Sequence, residues 1–201
     1  MSGAMARPAR DVLAEQRRGE VLEAAETLLA AHGYDALRLR DVSEAAGVSI
    51  GLIQHYFGTR DDLLLETMRV ASERRARQWS QLAEGASSPG DRLRSLIEGA
   101  VGDHHRCVVW IEMCAAATRH PELLPDVRRT QDAWHRAIAE ALSDGIQDGS
   151  FRSSLSPDDT AELLIRIIDG FILDAAVDTA GTSAEARRVE LLKEVADGIL
   201  G

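Results

Sequence analysis

The sequence predicts an all-α protein of about nine helices, an N-terminal three-helix segment with a helix-turn-helix followed by a larger helical C-terminal part. Apolar residues recur at three- and four-residue spacing along most of the chain, which is the imprint of one helix face. The breaks in that pattern fall at Gly, Pro or Ser/Thr, the residues that stop and start helices. The β-branched residues keep the same spacing, so no segment reads as a strand.

Val21, Ala25, Leu28, Leu29 and His32 give a first helix ending near His32, with Gly33 placed for a left-handed cap and Tyr34 behind it. After Gly33–Leu37, Leu39, Val42 and Ala46 share one face of a short helix over 38–46, closed by Gly47. Ser49 can cap a third helix that runs through Ile53 and Phe57 to Gly58. Thr59-Arg60-Asp61-Asp62 has the capping-box pattern and opens a long helix carrying Leu63, Leu64, Met68 and Ala71 towards Glu84. Gly85 to Gly90 is a loop, and beyond it helices are expected over 91–101, 104–119, 122–148, 157–179 and 183–199. Ser156-Pro157-Asp158-Asp159 marks one helix start, and Thr182 with Glu185 another. The organisation expected is a disordered arm or expression scar over 1–10, a helix-turn-helix domain over 11–58 and a second domain over 59–201.

Composition narrows the function. With 201 residues and 45% hydrophobic content the chain can fill a core, which excludes a disordered protein. No apolar run approaches the roughly 20 residues that span a bilayer, so a cytoplasmic protein without membrane contact is expected. Cys107 and Cys114 stand about 10 Å apart along one helix, too far for a disulfide. The net charge of −10 is unevenly spread: residues 1–60 hold 7 Arg against 8 acids, whereas the acidic excess lies beyond. Arg7, Arg10, Arg17 and Arg18 make a locally basic start that can meet phosphate.

A helix-turn-helix needs a Gly in its turn and small or branched apolar residues where its helices face, and Val42, Ala46, Gly47, Val48 and Ile53 meet both needs. The second helix of such a pair enters the major groove by its N-terminal end, which brings Ser49, Ile50 and Gly51 nearest to bases. Gln54 can bond adenine in a bidentate manner, and Ile50 can approach a thymine methyl. Arg38, Arg40, His55, Tyr56, Thr59 and Arg60 are placed to meet phosphates and so fix register. The string Gly33-Tyr34-Asp-Ala, Arg40-Asp41-Val42, Ala45-Ala46-Gly47-Val48-Ser49, Gly51, Tyr56-Phe57, Thr59-Arg60 and Asp62-Leu63-Leu64 resembles the DNA-binding region of the TetR family over residues 14–65. The resemblance implies three N-terminal helices, a fourth linking helix, and a C-terminal helical domain that binds an inducer and dimerises. Gln54 stands where the family usually has Tyr, Arg38 where Thr is usual, and Arg60 where Lys is usual.

In the C-terminal half the helix over 157–179 is apolar on two faces, one of them Leu163, Ile167, Gly170 and Val177. A second subunit accounts for that face, and Val189, Leu192, Ala196 and Ile199 of the last helix extend it into a four-helix homodimer interface. Trp110, Met113, Cys114 and Phe171 offer an apolar wall for a small-molecule inducer, with His104, Glu112 and Asp174 to orient it. Glu112 beside Trp110 offers one way to hold a cation. His104, His105 and Cys107 point round different sides of a helix and lack a second ligand cluster, so neither a metal nor a cofactor is expected. No nucleophile–base pair or phosphate-binding Gly loop supports an enzyme. The sequence therefore points to a ligand-responsive regulator, a repressor that leaves a palindromic double-stranded DNA operator when an inducer binds. The rival readings are a helical protein-interaction module and a helical enzyme.

Overall fold

The computed structural model describes residues 6–178 and 182–200, with side chains from 12 to 178 and from 184 to 200. Helices α1 (Ala6–Ala36), α2 (Leu39–Ala46), α3 (Ile50–Phe57), α4 (Arg60–Glu84), α5 (Pro89–Val101), α6 (His104–Ala117), α7 (Leu124–Gln147), α8 (Pro157–Val177) and α9 (Thr182–Leu200) follow in order, with a 3₁₀ turn over Pro121–Leu123. Among the described residues there is no strand. The chain forms two compact units divided after Ala71, inside α4, where the sequence placed a boundary at 58/59.

Unit 1 is held by Val21, Leu22, Ala25 and Leu29 of α1, Val42 of α2, Ile53 of α3, and Leu63, Leu64 and Met68 of α4, all buried. Helix α1 begins at Ala6, and residues 1–5 lie outside those described. Its far end bends at Gly33, whose φ of 76° and ψ of 170° break the helix where the sequence placed a cap. At Gly47 the backbone is left-handed, with φ 64° and ψ 30°, which turns the chain from α2 into α3 within three residues. Asp41 accepts from the backbone N–H of Arg38 at 3.2 Å and so starts α2; the Arg38 side chain, which has no acceptor, contributes no cap. Ser49 accepts from Leu52 N at 3.2 Å and starts α3.

Unit 2 is layered round α8, which packs against α5, α6, α7 and α9. Its inner stripe, Ala161, Leu164, Ile165, Ile168 and Ile172, is buried, as are Leu96 and Ile97 of α5 and Ile138 and Leu142 of α7. Ser156 accepts from Asp159 N at 3.1 Å to start α8. The cap expected of the Thr182 side chain falls outside the described residues. Leu192 and Ala196 correct the sequence reading of α9: each is 2% exposed, so they face the protomer's own core and cannot meet a second subunit. The other two residues expected there, Val189 and Ile199, are half-buried. Among the described residues no helix is long and apolar enough to cross a membrane.

Candidate functional site

Helix α3 has eight residues and one buried side chain, Ile53, which is fully enclosed. Leu52, Tyr56 and Phe57 are half-buried beside it, and the remaining face, with Ile50 (40% exposed), Gly51, Gln54 and His55, is exposed. Ser49 is exposed but its hydroxyl oxygen is engaged as the cap. Tyr56 is half-buried, with its ring 5.7 Å from His55 and 6.2 Å from Phe57. The Phe57 ring in turn receives Arg18, whose guanidinium carbon sits 5.1 Å from the ring centre and which pairs with Glu66 at 2.5 Å. Burial alone would raise the Glu66 carboxyl, but bonds from Arg69 and Arg18 outweigh it and hold the group below its ordinary value. Arg18, one of the basic residues expected to meet phosphate, is thus committed to holding α1 against α4.

Arg38 and Arg40 are exposed on α2, the second bonded to Glu44 at 3.0 Å on the same face. Thr59 starts α4 in the way its sequence pattern predicts: its hydroxyl accepts from Asp62 N at 3.1 Å, while the Asp62 carboxylate accepts from Thr59 N at 3.0 Å. The Thr59 hydroxyl bond at 2.6 Å and that backbone bond hold the Asp62 carboxyl below its ordinary value.

Arg60 corrects the sequence reading most clearly. Its guanidinium turns inward, donating Nε to the Leu37 carbonyl at 2.8 Å and Nη2 to the Tyr34 carbonyl, with Nη1 on Asp61 at 2.5 Å. The guanidinium carbon also lies 4.9 Å from the Tyr34 ring centre. The bend at Gly33 leaves carbonyls in the α1–α2 corner without helical partners, and a planar fork satisfies two of them at once. We expect Arg60→Ala to destabilise unit 1 by about 2 kcal/mol, the usual loss for charged hydrogen bonds. Chemical denaturation would measure this, and the salt dependence of DNA binding should stay as in the parent.

The residues expected to hold a ligand are dispersed by burial. Trp110 (7% exposed) and Met113 (2%) are inside unit 2, while Glu112, Cys114 and Phe171 are half-buried. Burial pushes the Cys114 thiol up to about 12, with the nearby Asp169 charge adding to the effect, so it stays protonated. His104 is exposed and shares Nδ1 with the Ala175 carbonyl at 2.8 Å, and Asp174 pairs with Arg188 at 3.2 Å. Both cysteines are free. Among the described residues no group of His, Cys, Asp and Glu is arranged to hold a metal. One groove is lined by Glu98, Gly102, Glu185 and Lys193 and another by Asp132, His135, Arg136 and Asp158; none of the expected ligand residues lines either.

On α8 the stripe Leu163 (40% exposed), Ile167, Gly170 and Val177 (70%) faces outward, joined by Leu173 (51%), which the sequence reading did not single out. Leu173 lies beside Ile172, which faces the core, and only the packing tells these neighbours apart.

Comparison with known proteins fits this geometry. Residues 21–67 match the profile of bacterial regulatory proteins of the tetR family, and residues 89–201 match the C-terminal profile of BetI-type transcriptional repressors. The chain is 30% identical over 179 residues to the transcriptional repressor AcnR of Corynebacterium glutamicum, covering 86% of this chain and 90% of that one. It is 27% identical over 147 residues to the transcriptional repressor KstR2 of Mycolicibacterium smegmatis, covering 71% of each. A crystal structure of a regulator from Saccharomonospora viridis in complex with choline superposes with a TM-score of 0.83 at 23% identity, over 93% of this chain and 99% of the other. The chain belongs to the TetR family, with a BetI-type C-terminal part, and is a DNA-binding transcriptional repressor.

Proposed function

We propose that two copies of the chain pair through the outer face of α8, with Val189 and Ile199 of α9 at its margin, and present two α3 helices to a near-palindromic operator. The observation that carries this reading is the single anchor of α3: Ile53 is buried while Ile50, Gly51, Gln54 and His55 are exposed together. In this reading Gln54 bonds an adenine edge and Ile50 packs on a thymine methyl. Arg38, Arg40, His55, Tyr56 and the helix start at Thr59 meet the backbone. The exposed apolar stripe of α8 supports the pairing, because a lone chain would leave Leu163, Leu173 and Val177 in water.

A small organic molecule held in unit 2, against Trp110, Met113, Cys114 and Phe171 and oriented by His104, Glu112 and Asp174, releases the operator. It does so by favouring the dimer form whose two α3 helices no longer match the half-site spacing. The choline of the Saccharomonospora viridis structure supports a ligand of this size in a fold of this kind.

Titration of labelled duplex DNA at rising salt tests the DNA half of the reading. Affinity should fall steeply and log-linearly as phosphate contacts release counterions, whereas an interaction module without DNA binding gives no slope. Gln54→Ala should cost about 1–3 kcal/mol on the cognate duplex and flatten preference at one base pair in each half-site. Equal weakening on cognate and unrelated duplexes would remove Gln54 from base reading.

A further inference from the structure

The repressor reading leaves one group of side chains in unit 2 unused, at the seam of α4 and α7. Ser72 and Thr130 share a hydroxyl hydrogen bond of 2.6 Å, and the Ser72 hydroxyl also lies 2.7 Å from the Asp126 carbonyl. Two turns further along α4, Trp79 stacks on Trp134 with ring centres 5.3 Å apart and planes 10° from parallel. Arg75, between them in sequence, lays its guanidinium carbon 5.1 Å from the Trp79 ring centre. Arg75 is 8% exposed and the two tryptophans 2% each.

The Ser72–Thr130 end is fully hydrogen-bonded, but the aromatic end is not. Arg75 Nη2 reaches the Ala100 carbonyl at a long 3.4 Å, and among the described residues Arg75 Nη1, Trp79 Nε1 and Trp134 Nε1 find no protein acceptor. Buried donors are nearly always paired, so three in one stacked group need a reason other than packing. Among the described residues Arg75 also has no carboxylate paired with it. Asp103, whose field reaches it, already pairs with Arg106 at 2.9 Å and caps α6 through Arg106 N. The other groups acting on it are the Cys107 thiol and the Arg106 cation. Burial pulls the Arg75 pKa down to about 10, which still leaves it charged at neutral pH. A buried cation without a counter-ion is unfavourable, and an arriving anion is what relieves it.

Resting on the ligand-responsive reading above, we infer that Arg75, Trp79 and Trp134 form the headgroup end of the inducer site, and that the inducer is an organic anion: a carboxylate or phosphate on an apolar body. Arg75 Nη1 donates to the anion's oxygens, with the indole N–H groups as further donors nearby. The aromatic surroundings favour an apolar body over inorganic phosphate. A quaternary ammonium is disfavoured, because Arg75 repels it and already lies against the Trp79 ring.

The test is thermal unfolding of the full chain with decanoate, decyl phosphate, decanol and choline, followed by release of operator DNA. One or both anions should raise the melting midpoint and release DNA, which identifies the headgroup, while decanol and choline do neither. Arg75→Met should weaken the anion at least tenfold and, without ligand, melt no lower than the parent, because an apolar side chain replaces an uncompensated cation. Arg75→Lys, which keeps the charge, should retain part of the anion response. A decanol shift equal to the anions', or an Arg75→Met variant that melts lower and binds the anion unchanged, overturns the assignment and leaves Arg75 a packing residue. Choline acting alone overturns it while upholding the ligand-responsive reading. If all four compounds are inert the assignment also falls, and the repressor reading is then judged by its operator binding.

Discussion

A chain carrying Leu163→Glu and Val177→Glu together is expected to be a folded monomer that binds its operator about 10²–10⁴-fold more weakly than the parent, the usual loss when two linked contacts become independent. Both residues lie on the outer face of α8, at 40% and 70% exposure, while the core of unit 2 takes the opposite stripe of that helix. Glutamates there stay in water in a monomer, so folding is spared. In the proposed dimer they bring like charges together across a desolvated seam. Light scattering coupled to size exclusion reads the oligomeric state, and DNA titration reads the affinity. A dimer that survives both charges would move the interface elsewhere on unit 2.

Ile53→Ala should produce the largest local loss of stability, about 2–5 kcal/mol for a buried aliphatic side chain cut to a methyl. An eight-residue helix cannot hold itself in water, and α3 has this one fully buried anchor. Hydrogen exchange over residues 38–58 should accelerate strongly while α8 and the rest of unit 2 keep their protection. Operator affinity should fall further than for Gln54→Ala, because the whole reading face is lost and not one contact. Unchanged protection over α3 would show that other packing holds the helix.

These two expectations rest on features that differ in how far the sequence disclosed them. The turn into α3 was legible because its chemistry is local: Gly47 supplies the left-handed backbone and Ser49 the cap, and both act within a few residues. The starts of α4 and α8 were legible for the same reason, since Thr59–Asp62 and Ser156–Asp159 satisfy each other. Arg60 was not. Where its guanidinium goes depends on the Tyr34 and Leu37 carbonyls, more than 20 residues away, which only the bend at Gly33 makes available. Arg18 escaped for a like reason, its partner Glu66 lying three helices on.

Periodicity likewise finds apolar stripes without saying what covers them. On α9 it put Leu192 and Ala196 at the surface seam, whereas packing turns them into the core of unit 2. On α8 the same pattern passed over Leu173, which is half exposed. Arg75 was hardest to see: in sequence it is one of several arginines on a long polar helix, and its burial shows only in the fold, where its guanidinium lies on the Trp79 ring and reaches the Ala100 carbonyl of another helix.

The most direct test of the account is selection of bound duplexes from a random pool by the full-length protein. The account predicts enrichment of two inverted half-sites with centres about 34–36 Å apart, or a multiple of that, as two symmetry-related α3 helices require. Enrichment of one half-site without a mirrored partner, or no enrichment even at low salt, would contradict it.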